Sequence, residues 1–129
     1  MTTLKPYRLI APILYGTCIY LLSSIPGDLG SSSSPSFLLS LVPSSLQNLL
    51  HIPLFAGLTS CLLWALAPIR RQKQTYLIVL AASLAFAVSD EVHQMYVPGR
   101  FGSMSDAILD SIGIVLSILI HKKQNLQTY

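Results

Sequence analysis

Three long stretches of this chain contain no charged side chain, and this feature restricts its fold more than any other. No Asp, Glu, Lys or Arg lies between Arg8 and Asp28, between Asp28 and Arg70, or between Lys73 and Asp90. Charged residues make up 10% of the 129 residues and hydrophobic residues 52%, so a soluble domain of this size could not cover its core with polar surface. The sequence therefore predicts a membrane protein.

Four segments have the length of about 20 apolar residues that an α-helix needs to cross a bilayer. We predict an all-α fold in one domain (1–129), a bundle of four transmembrane helices at about 7–25, 47–68, 74–97 and 104–121, with an outer loop at 26–46. The first segment also resembles a signal peptide, but its long apolar part and the lack of an A-x-A site favour a retained helix.

Charged residues segregate to opposite ends of the predicted bundle. Seven of the eight basic residues fall at one end, whereas all five acidic residues fall at or toward the other. The positive-inside rule makes the basic end cytoplasmic, so we predict a multi-pass protein of the plasma (inner) membrane with both termini cytoplasmic. This segregation explains the net charge of +3, and no nucleic-acid partner is predicted.

Polar residues are concentrated where the third predicted helix ends, in SDEVHQMYVPGR (89–100). At helical spacing, one stripe of this helix holds Ser83, Ala87, Asp90 and Gln94, and one stripe of the fourth holds Asp106, Asp110, Gly113 and Ser117. Small residues on such stripes allow close packing in lipid, so we expect both stripes to face inward. His93 lies beside the first stripe, and Glu91 lies further round the helix.

Asp110 lies deeper in the predicted membrane than the other acidic residues, so its carboxyl group most needs an explanation. At 1.5 Å per residue it lies about 18 Å from Lys122, well inside a hydrocarbon layer of about 30 Å. A carboxyl group at that depth should be neutral, paired or facing water, because an unpaired charge there is costly. His51 opens the second predicted helix at the level of Asp90, so the sequence predicts that it faces the same outer cluster.

A structural ion pair is the simplest alternative to a functional site. In that interpretation Arg100 folds onto Asp106 or Asp90, and Gln94 and Ser103 complete the hydrogen bonds. The cluster holds more ionisable groups than one ion pair needs, and such groups at membrane depth usually mark functional sites. We therefore expect a functional site at the outer end of the bundle.

The cluster and its order along the chain resemble the VanZ-like family. The resemblance covers most of the chain and depends on SSIPG (23–27), the histidine that opens the second helix, and DEVHQMYVPGRFGSMSD (90–106) followed by a glycine. The family is named for a small bacterial membrane protein associated with teicoplanin resistance, so the resemblance implies an envelope protein with a link to that resistance. It implies a signature at Ser24, Pro26, His51, Asp90, Glu91, Gln94, Pro98, Gly99, Arg100, Asp106 and Gly113.

The chain departs from the family pattern at the edge of the expected site. Gln47 and Asn48 stand where the family often has Asp-Lys, and Phe55 stands where it often has Tyr. Asp110 stands where it often has Asn. A lost lysine and an added aspartate make the expected pocket more acidic, so its ligand preference need not be the family's.

Common catalytic motifs are missing from the sequence, which has no HExxH, no G-x-S-x-G and no P-loop. A metal site from Asp90, His93, His51 and Asp106 is conceivable, but no spacing requires it and Arg100 opposes a dication. We therefore predict neither a metal nor a cofactor.

Three hypotheses remain for the outer cluster. A binding site would hold a membrane lipid head group or a lipid-linked envelope precursor through Ser24, His51, Asp90, Glu91, Gln94, Arg100, Asp106 and Asp110. An enzyme acting on a lipid-linked substrate would use Asp90, Glu91, His93 and Asp106 as acid–base candidates. A proton-coupled transporter component would titrate Asp110 and, with only four helices, would need to oligomerise. We favour the binding hypothesis.

Overall fold

The computed structural model describes residues 5–27, 48–67 and 72–126. Within these ranges the chain is helical and contains no strand. One turn of 3-10 helix, Pro6–Leu9, leads into α1 (Ile10–Ser23), and α2 (His51–Leu66), α3 (Gln72–Gln94) and α4 (Met104–Leu126) follow. The all-α prediction is confirmed. Most of the predicted outer loop at 26–46 lies outside the described residues, and the single domain over 1–129 stays a prediction.

The start of α4 matches the predicted position and the other helix ends differ from the predicted ones by two to five residues. Three of these differences have a local reason. α1 begins at residue 10 because Pro6–Leu9 forms the 3-10 turn before it. α3 ends at residue 94 because Pro98 disfavours helical backbone in the residue before it, and the chain turns there instead. α4 continues from the predicted end at 121 to residue 126, since Lys, Gln and Leu favour a helix whether or not lipid surrounds it.

Two of the described helices, α3 and α4, are long and apolar enough to cross a membrane. The helix α2 is apolar but shorter, at 16 residues. The helix α1 has 14 residues and so reaches about 21 Å at 1.5 Å per residue. Length and composition thus support a membrane protein with two spanning helices, and the predicted four spans go beyond this observation.

The described bundle buries polar side chains and exposes apolar ones. Ten polar or charged residues are buried against nine hydrophobic residues, a ratio that a water-soluble core does not have. Large apolar side chains are exposed along α1, α3 and α4, including Leu14, Leu77, Val88, Ile108 and Leu119. Such a surface suits a lipid environment, in which the apolar face needs no cover.

The helix α2 lies at the centre of the bundle, where it contacts α1, α3 and α4 and packs most extensively on α4. Both predicted stripes are buried, which confirms that they face inward. On α4 the stripe contains Gly113, whose Cα faces the backbone of Ile52 and Ala56 on α2. A side chain at this position would separate the two helices, so glycine is what brings α4 close enough to place Asp110 beside α2.

Candidate ligand-binding site

A cavity of about 350 Å³ opens at the end of the bundle that carries the acidic residues. Its volume falls in the range typical of sites for small ligands. Five signature residues in its wall are polar: His51, Asp90, Gln94, Arg100 and Asp106. Apolar side chains of α1 and α2, among them Leu22 and Leu54, form much of the remaining wall. The cavity is therefore amphipathic, with charge on one side and hydrocarbon on the other.

His51 and Asp110 form a hydrogen-bonded pair beneath this cavity, which is an ion pair when the imidazole is protonated. The imidazole Nδ1 lies 2.8 Å from Oδ1 of the carboxylate, and the Asp110 side chain is fully buried. The pair forms because His51 begins α2 and Asp110 lies in the second turn of α4, on the stripe that packs against α2. Phe55, one turn along α2, stacks parallel to the imidazole with ring centroids 6.4 Å apart. Asp110 is thus paired. This is one of the three states (neutral, paired or facing water) that its predicted depth in the membrane allows.

Two adjacent carboxylates of α3 enter the cluster from the opposite side. Oε2 of Glu91 accepts a hydrogen bond of 2.6 Å from the backbone N–H of Ser103, which precedes α4. Oδ2 of Asp90 accepts one of 2.9 Å from Nε2 of Gln94, one turn further along the same helix. Glu91 is buried although its helical position is off the stripe, because the start of α4 folds back over it. The Glu91 bond ties the start of α4 to α3, whereas the Asp90 bond lies within α3.

Several carboxylate oxygens of the cluster are buried without a hydrogen-bond partner among the residues that the structure describes. They are Oδ1 of Asp90, Oε1 of Glu91, Oδ1 of Asp106 and Oδ2 of Asp110. One nitrogen of His51 and one carboxylate oxygen from each of Glu91 and Asp110 lie within 4.8 Å of one another. An unsatisfied buried acceptor is costly, and native proteins contain few of them. The carboxylate oxygens of the cluster can therefore accept further hydrogen bonds.

Arg100 binds the end of α1 instead of a carboxylate. Its Nε donates to the carbonyl of Ile25 at 2.8 Å, and its Nη2 donates to that of Leu22 at 3.3 Å. Both carbonyls lie where α1 ends and its backbone hydrogen bonds are incomplete, although that of Leu22 also accepts from the N–H of Ile25 at 3.3 Å. A cation is favoured at this negative end of the helix dipole. Within the described ranges, the alternative ion pair of Arg100 with Asp106 or Asp90 is therefore not formed.

Burial lowers the pKa of the Arg100 guanidinium from its ordinary value, and the nearby carboxyl groups, Asp90 foremost, oppose that shift. The guanidinium remains a cation at the wall of the cavity, half-exposed, with its remaining N–H groups available to a ligand.

Ser24 and His93 form a second polar contact, on the α1 side of α3. The hydroxyl of Ser24 lies 2.9 Å from Nε2 of His93, and the imidazole packs on Tyr20 with ring centroids 4.4 Å apart. Neither residue lines the cavity. The structure thus divides the predicted residues into a cavity wall (His51, Asp90, Gln94, Arg100 and Asp106), a buried base (Glu91 and Asp110) and this outlying pair.

Sequence reasoning did not assign Ser23, Asn48 and Phe101 to the site, yet all three line the cavity. Ser23 is buried although its neighbour Ser24 was the predicted ligand, a difference of one position around α1. Asn48 was noted only as a departure from the family pattern. A helical projection of α1 could have distinguished the two serines, whereas Phe101 lies in a turn and carries no periodic signal.

Comparison with known proteins supports the family resemblance. A family model described as VanZ/LLP1 matches residues 7–125, which is nearly the whole chain. The chain belongs to this family. No curated protein and no solved structure gives a significant match.

Two VanZ-like motifs meet at the rim of the cavity. The N–H of Gly27, from SSIPG, donates to the carbonyl of Pro98, from VPGR, at 3.1 Å. Gly99 has a φ of 72°, a conformation that favours glycine. A Cβ on Gly27 would overlap the carbonyl oxygen of Gly99, so the backbones can meet only through glycine. This contact explains why two motifs distant in the sequence both contain a Pro-Gly pair.

Proposed function

We propose that this VanZ-like protein spans the plasma membrane four times and binds the polar head group of an envelope lipid, or of a lipid-linked cell-wall precursor, in its outer cavity. The observation that carries the proposal is the amphipathic cavity at the acidic end of the bundle, with Arg100 and several carboxylates in or beneath its wall. A link to glycopeptide (teicoplanin) resistance would follow if the bound molecule is a precursor on which such antibiotics act.

The four-span topology is supported by the distribution of charge and by the exposed apolar faces of the described helices. With Cys18 and Cys61 replaced by alanine, single cysteines at exposed positions can be labelled in intact cells with a membrane-impermeant maleimide. We expect labelling of Ser105→Cys and protection of Lys5→Cys, Gln72→Cys and Lys123→Cys until the membrane is permeabilised. Labelling of Gln72→Cys in intact cells would contradict the assignment of α2 and α3 as two spans.

The chemistry of the cavity suits a head group that contains both donors and an anion. Asp90 and Asp106 accept hydrogen bonds from hydroxyl, amide or amine groups, and the remaining N–H groups of Arg100 can bind a phosphate or carboxylate oxygen. The apolar side of the wall, including Leu22 and Leu54, can contact the first methylene groups of a lipid chain. A free hydrophilic metabolite would leave that apolar side without a partner.

Native mass spectrometry of protein extracted gently from its membrane tests this binding. Loss of one hydrogen bond to a charged group costs about 1.5–3 kcal/mol, so Asp106→Asn and Arg100→Lys should each retain the lipid at least about tenfold less well. Ser117→Ala is the matched control, because Ser117 lies on the same helix as Asp106 but at the other end of the bundle.

Equal lipid retention by the wild type and both site variants would contradict the proposal. Conversion of a retained lipid to a product of different mass would instead support the enzyme hypothesis, in which the same groups act as acid and base. Loss of retention in Ser117→Ala as well would indicate that the substitutions act through the packing of the bundle and not through the cavity.

A further inference from the structure

We propose that His51, Glu91 and Asp110 bind a divalent transition-metal ion at the base of the cavity. This site shares His51 with the wall that contacts the proposed head group, has its two carboxylates below that wall, and does not require a lipid to be bound. It differs from the metal site considered from the sequence, which used Asp90, His93 and Asp106 with His51.

Three helices bring the ligand atoms together. His51 opens α2, Glu91 lies near the end of α3, and Asp110 lies in α4, yet one ligand atom from each lies within 4.8 Å of the others. Atoms bound to one ion at about 2.0–2.2 Å are about 3.3–3.6 Å apart in a tetrahedral site, so the widest of the three separations must shorten by about 1 Å to complete the site.

Buried carboxylate oxygens supply an independent reason to place a cation here. In the described part of the chain, Oδ2 of the fully buried Asp110 and Oε1 of the buried Glu91 have no hydrogen-bond partner. Oδ1 of Asp106 is buried and unpartnered in the same way, and is available as a further ligand or as a partner of a metal-bound water. A metal ion satisfies several such acceptors at once, which a single added hydrogen bond does not.

The balance of charge points the same way. Four carboxyl groups, Asp90, Glu91, Asp106 and Asp110, converge on this end of the bundle. Arg100 was expected to oppose a dication, but it directs two of its N–H groups at carbonyls of the α1 end. Two positive charges on an ion would compensate the carboxylates that Arg100 leaves unpaired. Without a bound ion, protonation of the carboxyl groups would be the alternative way to remove the excess negative charge.

The mixed ligand set indicates which ions fit. Mg²⁺ and Ca²⁺ prefer sites made entirely of oxygen, whereas an imidazole together with carboxylates suits Zn²⁺, Mn²⁺ or Fe²⁺. Zn²⁺ and Mn²⁺ are therefore the appropriate probes.

The test is metal binding by the purified, full-length protein after treatment with a chelator. Mn²⁺ binding is followed by electron paramagnetic resonance, and Zn²⁺ binding by native mass spectrometry. We expect one ion per chain in the wild type and at least about tenfold weaker binding in Glu91→Gln and in Asp110→Asn. The control is His121→Gln, because His121 lies at the far end of α4 and contacts Tyr76.

Each outcome has a defined meaning. Absence of a bound ion in the wild type, or unchanged binding in both variants, would overturn the proposal. Both substitutions preserve side-chain volume, and a variant that loses its helical circular dichroism is replaced by His51→Gln in the same titration. Lipid retention measured with and without chelator separates the two proposals, because lipid bound in metal-free protein leaves the head-group site intact whatever the metal result.

Discussion

His51→Leu is expected to lower the free energy of unfolding by about 3–5 kcal/mol, because it leaves the carboxylate of Asp110 buried without its partner. The Asp110 side chain is fully buried, so water cannot replace the lost contact without opening the helix interface. The measurement is reversible unfolding in mixed detergent micelles, followed by circular dichroism, with a chelator present so that only the pair contributes.

A double-mutant cycle separates the pair from the individual side chains. His51→Leu with Asp110→Leu should cost less than the sum of the single changes, because the double variant leaves no uncompensated charge. Ser60 and Ser117 form the matched control, since they join the same two helices, α2 and α4, through a neutral hydrogen bond of 2.9 Å. Their coupling energy should be about 1 kcal/mol or less.

A coupling energy for His51 and Asp110 no larger than that of the two serines would contradict this expectation. It would mean that the carboxyl group of Asp110 is neutral in the native protein and that the contact is an ordinary hydrogen bond. The proton-coupled transporter hypothesis would then gain support, because a neutral Asp110 could take up and release a proton.

Gly113→Ala is the second substitution with a large expected effect. A Cβ at this position would overlap the carbonyl oxygen of Ile52 and lie 3.1 Å from the backbone nitrogen of Ala56. Backbone of α2 cannot move aside as a flexible side chain can, so we expect a loss of about 1–3 kcal/mol in the free energy of unfolding. The separation of α2 and α4 should also weaken the contact between His51 and Asp110.

Gly16→Ala is the control for this substitution, because Gly16 is also a buried glycine inside a helix. A Cβ there would meet the ring of Phe86 at 3.5 Å, which is ordinary van der Waals contact. Alanine favours a helix over glycine by up to about 1 kcal/mol, so Gly16→Ala should be neutral or stabilising. Equal destabilisation by both substitutions would show that the close approach of α2 at Gly113 is not the cause of the lower stability.

The helices could be predicted from the sequence because uncharged stretches and helical spacing are local properties of the chain. The stripe with Asp90 and Gln94 and the stripe with Asp106 and Asp110 were both identified from spacing alone, and both are buried. The ends of α3 and α4 were less predictable. Hydropathy reports where lipid ends, whereas Pro98 and the helix-forming tail of α4 determine where the helices end.

The members of the outer cluster could be named from the sequence, but their partners could not. Which atoms meet depends on the rotation of each helix about its own axis, and a shift of one residue turns a side chain by about 100°. His51 was expected to face the carboxylates and does so, whereas the ion pair of Arg100 with a carboxylate, considered as the alternative to a functional site, is not formed among the described residues, where Arg100 binds backbone carbonyls.

The burial of polar side chains inside an apolar exterior also affects how this bundle responds to temperature. Unfolding of a soluble domain moves apolar groups into water, which produces the large heat-capacity change that makes stability pass through a maximum. Separation of these helices within a bilayer would leave Leu, Ile and Val side chains in lipid and would mainly break contacts between serine, threonine and carboxyl groups. Cooling would then strengthen the bundle, whereas cooling below the temperature of maximum stability weakens a soluble domain.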